Sequence, residues 1–205
     1  MDNSTHQQIL LKIQATEPGT VLFITDFLAE GSDHAIHKSL SRLVQQKMIN
    51  RLGKGIYLKP KYDAVFGPIL PSLESIARQI AANEHVIIRP TGSYALNKLG
   101  LSTQVPTKVV FLTNGSRRTI RIGKGTIQFK PTTPKKLAAQ NDVVFFAIQA
   151  LITLGEKGAT EKVIQLLTDR LRPIASAVIR SDARHAPRHV YKTLYQIADK
   201  LDKND

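Results

Sequence analysis

One segment, from His34 to Lys47, constrains the fold of this chain more than any other, because its apolar residues recur at helical spacing. At about 100° per residue, the apolar side chains of this segment fall within one arc about 100° wide; they are Ile36, Leu40, Leu43 and Val44. The opposite arc is polar and contains no carboxylate; it carries His34, His37, Lys38, Ser41, Arg42 and Gln45. The segment therefore predicts a helix, capped by Ser32 or Asp33, with one face in a core and the other in solvent.

The elements around this helix follow a definite order. In chain order we expect a helix capped by Ser4 to about Gln14, a short strand at 21–24, a short helix at 26–30 after Thr25, the helix at 34–47, and strands at 48–51 and 56–59 around Gly53-Lys54-Gly55. Pro60 closes the unit. This is the order of a winged helix-turn-helix, which we predict over residues 1–62.

The polar face of the third helix and the hairpin predict a contact with double-stranded DNA. A recognition helix packs one face on its domain and presents donors and cations to base edges and phosphates in the major groove. A solvated surface helix would more often mix acidic and basic residues on that face. The hairpin has three basic residues, Arg51, Lys54 and Lys59, around a glycine-flanked turn that can approach a DNA backbone closely.

The charge of the chain also favours a polyanionic partner. The 29 Lys and Arg outnumber the 16 Asp and Glu, which gives a formal net charge of +13. Two segments, 34–62 and 85–141, contain no acidic residue, and residues 64–140 contain only Glu74 and Glu84. Since each cation that meets a phosphate releases condensed counterions, clustering of this kind is typical of nucleic-acid-binding proteins.

The remainder of the chain, residues 63–205, predicts a second domain of α+β class. After an apolar connector at 62–71, a helix at 73–82 and a strand at 86–89, β-rich segments at 108–113, 117–122 and 126–130 are separated by two hairpin signals, at 114–116 and 123–125. We therefore expect a small antiparallel sheet, followed from Pro134 by a run of helices.

This second domain carries a second basic patch. Its members are Arg117, Arg118, Arg121, Lys124, Lys130, Lys135 and Lys136. On a strand, Arg117 and Arg121 would share one face, while Arg118 would lie on the other face with Ile120 and Ile122. Such a surface would bind nucleic-acid phosphates or an acidic protein, or it would be only a solvated face.

No catalytic, metal or cofactor site is expected. The chain has no cysteine. Gly92-Ser93 resembles a phosphate-binding helix start, but no carboxylate follows it until Asp142, so Mg²⁺ would have no ligands. No Glu accompanies either histidine pair, His34/His37 or His185/His189, and Pro187 interrupts the second pair, so a shared metal is not expected. Because there is no signal peptide and no long apolar run, we expect a cytoplasmic protein that does not bind a membrane. Because no catalytic arrangement of residues is found, we expect that it is not an enzyme.

Two parts of the sequence resemble the AbiEi family of antitoxins. One is the winged-helix segment that ends in Arg51-Leu52-Gly53-Lys54-Gly55-Ile56-Tyr57. The more specific one is Pro90-Thr91-Gly92-Ser93-Tyr94-Ala95-Leu96-Asn97-Lys98-Leu99-Gly100-Leu101-Ser102-Thr103-Gln104-Val105-Pro106, followed by Val110-Phe111-Leu112-Thr113-Asn114-Gly115. Together they extend over roughly two-thirds of the chain.

The resemblance implies a bacterial type IV antitoxin. Such a protein represses its own operon through the winged helix, and its second domain counteracts a nucleotidyltransferase-like toxin. We expect this chain to bind operator DNA as a homodimer or at paired half-sites. The alternative is an orphan module that binds nucleic acid or protein through the second basic patch.

Overall fold

The computed structural model describes residues 4–203, apart from the side chain of Pro68, and has the α+β class that the sequence predicts. In chain order its elements are α1 (Thr5–Ala15), β1 (Val21–Phe23), a 3-10 helix (Ile24–Glu30), α2 (Asp33–Gln45), β2 (Asn50–Gly53), β3 (Ile56–Leu58), β4 (Lys61–Asp63), β5 (Gly67–Ile69), α3 (Leu73–Asn83), β6 (Ile88–Thr91), α4 (Ser93–Lys98), β7 (Lys108–Thr113), β8 (Arg118–Ile122), β9 (Gly125–Pro131), α5 (Pro134–Leu137), α6 (Asp142–Gly158), α7 (Glu161–Leu171), α8 (Ser176–Ala183) and α9 (Arg188–Asp202). These residues form two compact units.

The first unit contains the described residues up to Asn83, together with Ile120–Gly123. Its core is formed by the apolar faces of α1 and α2 together with side chains of the 3-10 helix and of the segment after α2. The fully buried members include Ile9, Phe27, Ile36, Leu40, Leu43 and Ile49. The short helix predicted at 26–30 is a 3-10 helix that begins at Ile24. The Asp26 carboxylate starts it by accepting a hydrogen bond of 2.7 Å from the Phe23 N–H.

A three-stranded sheet completes this core, in the order β1-β3-β2. Both pairings are antiparallel, and β2 has a bulge between Arg51 and Gly53. The turn between β2 and β3 contains Gly55 at φ +69°, a left-handed conformation that glycine adopts without steric cost. This order of helices and strands is compatible with a winged helix-turn-helix.

The segment predicted as a connector is a second hairpin. Residues 62–71 were expected to lie along a surface without regular structure, but β4 and β5 pair antiparallel, with Lys61 opposite Ile69. The Asp63 carboxylate accepts hydrogen bonds from the N–H groups of Val65 and Phe66, and these bonds lower the pKa of Asp63. An aspartate that accepts these two bonds closes the turn of a hairpin without an Asn-Gly or Asp-Gly dipeptide.

Helix α3 belongs to the first unit, whereas the sequence placed the domain boundary after residue 62. Its residues Ile76, Ala77 and Ile80 are buried. The Gln79 side chain accepts a hydrogen bond of 2.9 Å from the Val21 N–H of β1. This contact spans 58 residues of sequence, and no local pattern in the sequence signals it.

A four-stranded sheet, of which β6, β7 and β9 belong to the second unit, is mixed and not purely antiparallel as predicted. Its strand order is β6-β7-β9-β8. Strands β6 and β7 are antiparallel, but β7 and β9 are parallel, with Val110 opposite Gln128. The predicted hairpin at 114–116 does not form. Asn114 accepts a hydrogen bond from the Ile87 N–H, and β8 lies beside β9 in the sheet and not beside β7.

Five helices, α4 and α6–α9, build the core of the second unit. Its buried members include Leu99, Val144, Leu151, Leu167, Ile179 and Leu194. The longest helix, α6, is capped by Asn141 and broken at Gly155, where φ is +67°. None of the helices within residues 4–203 is long and apolar enough to cross a bilayer.

Candidate nucleic-acid interface

Helix α2 is fixed by its apolar side. Ile36, Leu40 and Leu43 are completely buried, as the helical spacing predicted. The Ser32 hydroxyl caps the helix by accepting a hydrogen bond from the Ala35 N–H, which satisfies one of the donors that a helix N-terminus leaves free. With the helix held at its N-terminus and along one side, the orientation of its opposite side is determined.

The opposite side of α2, which we name the recognition face, is exposed along its whole length. It consists of the six predicted residues His34, His37, Lys38, Ser41, Arg42 and Gln45. Within residues 4–203 none of these side chains makes a hydrogen bond or an ion pair with another group. Six donors and cations on one helix face are thus available to an external partner.

Two features at the edges of this face were not anticipated. Helix α2 begins at Asp33, so one exposed carboxylate lies in its first turn, where it stabilises the helix dipole. Ser39 is buried and its hydroxyl lies 2.8 Å from Nδ1 of His6 on α1. The sequence contained no signal for this second contact, because it joins residues 33 positions apart.

The three basic residues predicted for the hairpin have different roles. Lys54 lies at the turn and is exposed, with no partner among the described residues. Arg51 is exposed and its Nε donates to the Gly53 carbonyl within the same strand. The Lys59 ammonium instead donates to backbone carbonyls at the end of α1, including that of Gln14 at 2.8 Å, and so it has a structural role. Lys54 and Arg51 are the hairpin cations best placed to meet a phosphate.

The second basic patch does not form one uniform surface. Arg118 is half-buried and makes a double hydrogen bond with the Glu84 carboxylate, at 2.6 and 2.9 Å. Its guanidinium also lies over the Phe129 ring, 5.2 Å from the centroid. Ile120 and Ile122 are buried on the same side of β8, which agrees with the predicted alternation. The charge of Arg118 is therefore compensated within the unit.

The other patch residues are exposed and fall into two groups. Arg117, Arg121 and Lys124 lie on β8 or next to it, and none of them has a partner within residues 4–203. Lys130 lies near the end of β9, and Lys135 and Lys136 lie on α5. These last three, which we name the lysine rim, line a cavity of about 600 Å³. The sequence predicted the exposure of both groups but not the cavity.

Comparison with known proteins assigns the chain to a family. Residues 8–179 match the model of DUF6088, which is described as a family of unknown function. The chain belongs to the DUF6088 family. No curated protein matches it.

The DUF6088 match includes most of α1, all of the recognition face, the hairpin and both groups of the second basic patch. It ends inside α8 and so leaves out α9. Among residues 4–203 of this DUF6088 chain, no group of three His, Asp or Glu side chains is placed to hold a metal ion.

Proposed function

We propose that this chain is a transcriptional regulator that binds double-stranded DNA, with α2 as the recognition helix and the β2–β3 turn as the wing. The observation that carries the proposal is the recognition face, where six donors and cations are exposed and unpaired while Ile36, Leu40 and Leu43 on the other side of the same helix are completely buried. A helix of this kind has the diameter that the major groove accommodates.

The residue types on this face suit base reading. Arg42 and Lys38 can donate to the O6 and N7 acceptors of guanine, and Gln45 can pair with the N6 and N7 edge of adenine. Lys54 at the wing would contact phosphate and fix the register of the helix without reading sequence. Two copies bound at half-sites about 34 Å apart would place both recognition helices on one side of the duplex.

The test is DNA binding by charge-reversed variants. Lys38→Glu and Arg42→Glu together should weaken binding to the DNA upstream of the gene by roughly a hundred-fold, because each removes a contact with a base or phosphate and adds repulsion. Fluorescence anisotropy with the full chain at fixed salt measures this change.

The matched control is Lys162→Glu with Lys192→Glu, which makes the same change of charge at two exposed helical lysines of the second unit. This control should lose much less affinity, because its effect is limited to the net charge. If both double variants bind as tightly as the unchanged chain, the recognition face does not contact DNA.

We further propose that the regulator is an antitoxin that represses its own operon. The proposal rests on the likeness to AbiEi antitoxins in 51–57 and 90–115. Its expected toxin is a nucleotidyltransferase-like protein encoded next to it. Expression of that neighbour alone should stop growth, and co-expression of this chain should restore it. Growth arrest that this chain fails to relieve would refute the antitoxin role and leave the DNA-binding proposal intact.

A second candidate function is a module that binds nucleic acid or an acidic protein through β8. It is favoured by the exposure of Arg117, Arg121 and Lys124, which have no partner in the described part of the chain. Charge reversal of these three residues should abolish capture of RNA or of an acidic protein partner under this second hypothesis. Under the first hypothesis the same variant retains operator binding.

A further inference from the structure

The cavity in the second unit has two unlike walls. One wall is the face of the sheet that carries Val110 and Leu112, which are half-buried while their neighbours Val109 and Phe111 are buried on the other face. The facing wall is α6, from Phe145 to Ile152. A volume of about 600 Å³ lies within the range of small-molecule sites.

One end of this cavity is positively charged. The lysine rim consists of three exposed cations that have no partner among residues 4–203. The only acidic residue in the lining is Asp182, which is buried and whose carboxylate accepts hydrogen bonds from the N–H groups of Gln140 and Asn141 at 2.9 and 3.0 Å. The rim charge is therefore not compensated by an ion pair, and an anion would meet it directly.

The cavity also contains a buried amide with a free polar atom. Gln149 is 7% exposed and its carbonyl oxygen accepts a hydrogen bond from the Thr91 hydroxyl. The amide nitrogen has no partner among the described residues. Since this nitrogen is not among the fully buried unpaired atoms, it is accessible from the cavity and can donate to an acceptor that a ligand supplies.

The register of the sheet gives the spacing between these two features. Lys130 pairs with Leu112, and Thr91, which bonds Gln149, pairs with Val110. Two residues along a strand correspond to about 7 Å, and β6 and β9 lie on opposite sides of β7, about 10 Å apart, so the two positions are separated by roughly 12 Å. The wall between the two positions is apolar on both sides, with Leu112 on the sheet and Ile148 on α6.

We propose that this cavity binds a small organic anion with an apolar body, a carboxylate or phosphate at the lysine rim, and a hydrogen-bond acceptor near Gln149. Nucleoside monophosphates and acyl carboxylates that carry a distal hydroxyl or keto group share this chemistry. The proposal goes beyond DNA binding, because it assigns Lys130, Lys135 and Lys136 to a small-molecule site.

The test is a titration of the ¹⁵N-labelled full chain, followed by amide NMR, with three probes used separately: 10-hydroxydecanoate, adenosine 5′-monophosphate and inorganic phosphate. The hydroxy acid or the nucleotide should shift the amide signals of Leu112 and Gln149 saturably, and the tighter of the two identifies the ligand class. Inorganic phosphate should bind at least about ten-fold more weakly, because it has no apolar body.

Two variants check the chemistry of the site. Lys130→Gln, Lys135→Gln and Lys136→Gln together should weaken the tighter probe by roughly ten- to a hundred-fold, and Gln149→Leu by about three- to ten-fold. The control for charge is Lys157→Gln, Lys162→Gln and Lys192→Gln, three exposed lysines outside the lining, which should retain affinity within about two-fold. The amide spectrum of each variant reports whether it is folded.

Three results would overturn the proposal. The first is that no probe shifts these amides, and the second is that inorganic phosphate binds as tightly as the other two. The third is that the rim variant binds like its control. A folded Gln149→Leu variant with unchanged affinity would remove the amide from the site and so overturn the acceptor part of the proposal.

Discussion

Arginines that look alike in the sequence are used differently because a strand turns successive side chains to opposite faces. Arg118 faces the same side as Ile120 and Ile122, where it pairs with Glu84. Arg117 and Arg121 are exposed. The alternation was readable from the sequence, but the partner of Arg118 was not, since Glu84 lies 34 residues away. Arg118 is therefore not available to an external partner, although the composition of the sequence placed it in the second basic patch.

At the residue scale, Gly31 is required by a close approach to α1. A Cβ at this position would collide with the Thr5 hydroxyl. Gly31→Ala should therefore lower the free energy of unfolding by about 1–3 kcal/mol, measured by urea denaturation. Because Gly31 lies between the 3-10 helix and α2, the substitution should also weaken DNA binding.

Two further variants separate the collision from backbone strain. Gly67→Ala places a Cβ in open space at φ +72°, so it should cost less than Gly31→Ala. Thr5→Ala combined with Gly31→Ala should recover part of the loss, because the hydroxyl and methyl groups nearest to the new Cβ are removed. If the Thr5 substitution recovers nothing, the collision is not the cause.

At the scale of elements, the sequence predicted what depends on local periodicity and missed what depends on distant partners. Helix α2 was predicted within about one or two residues, because its buried face repeats every three to four positions. The Asn114-Gly115 signal failed, since the Asn114 side chain bonds Ile87 and the expected hairpin does not form. The exposure of the six residues of the recognition face depends only on one helix and was predicted from its periodicity. The cavity needs a sheet and two helical segments and was not.

The ion pairs between α8 and α9 predict that the stability of the fold depends on pH. Arg180 on α8 donates to Asp199 at 2.7 Å and also to Asp202, both on α9. Hydrogen bonds from Ser176 and Arg180 lower the pKa of Asp202. A carboxyl whose folded pKa is lowered stabilises the fold above its unfolded pKa, near 3.9, and the effect is lost as the pH falls through the folded pKa.

Asp202→Asn should accordingly lower Tm at pH 7 by no more than about 3 °C, since the Asp202 side chain is 48% exposed. The difference from the unchanged chain should narrow as the pH is lowered from 5 to 3, and calorimetry over this range measures it. Asp169→Asn, whose partner Arg172 is three residues away, is the control and should have a smaller effect, because it joins no two helices. An equal difference at pH 3 and pH 7 would contradict this assignment.

At the scale of the whole molecule, a net charge of +13 predicts binding to any DNA at low salt, so affinity alone does not identify the surface used. The slope of log affinity against log salt counts phosphate contacts, at about 0.9 for each. Lys38→Glu with Arg42→Glu should reduce this slope if either residue meets a phosphate. Arg117→Glu, Arg121→Glu and Lys124→Glu should leave it unchanged. If only the variant of Arg117, Arg121 and Lys124 reduces the slope, DNA binds at β8 and not at α2.

The position of β9 between β7 and β8 has a consequence for how the chain folds. A sheet whose neighbours follow chain order can grow by adding one strand at a time, but here β8 has no sheet neighbour until β9 has been synthesised and has turned back at Gly123-Lys124. The β8–β9 pair is local and should form early, and its docking on β7 in parallel is the slower step, because the loop to be closed is longer. During that interval β7 has an unpaired edge. On a ribosome or at high concentration, an unpaired edge of this kind can pair with a strand of another chain and lead to aggregation.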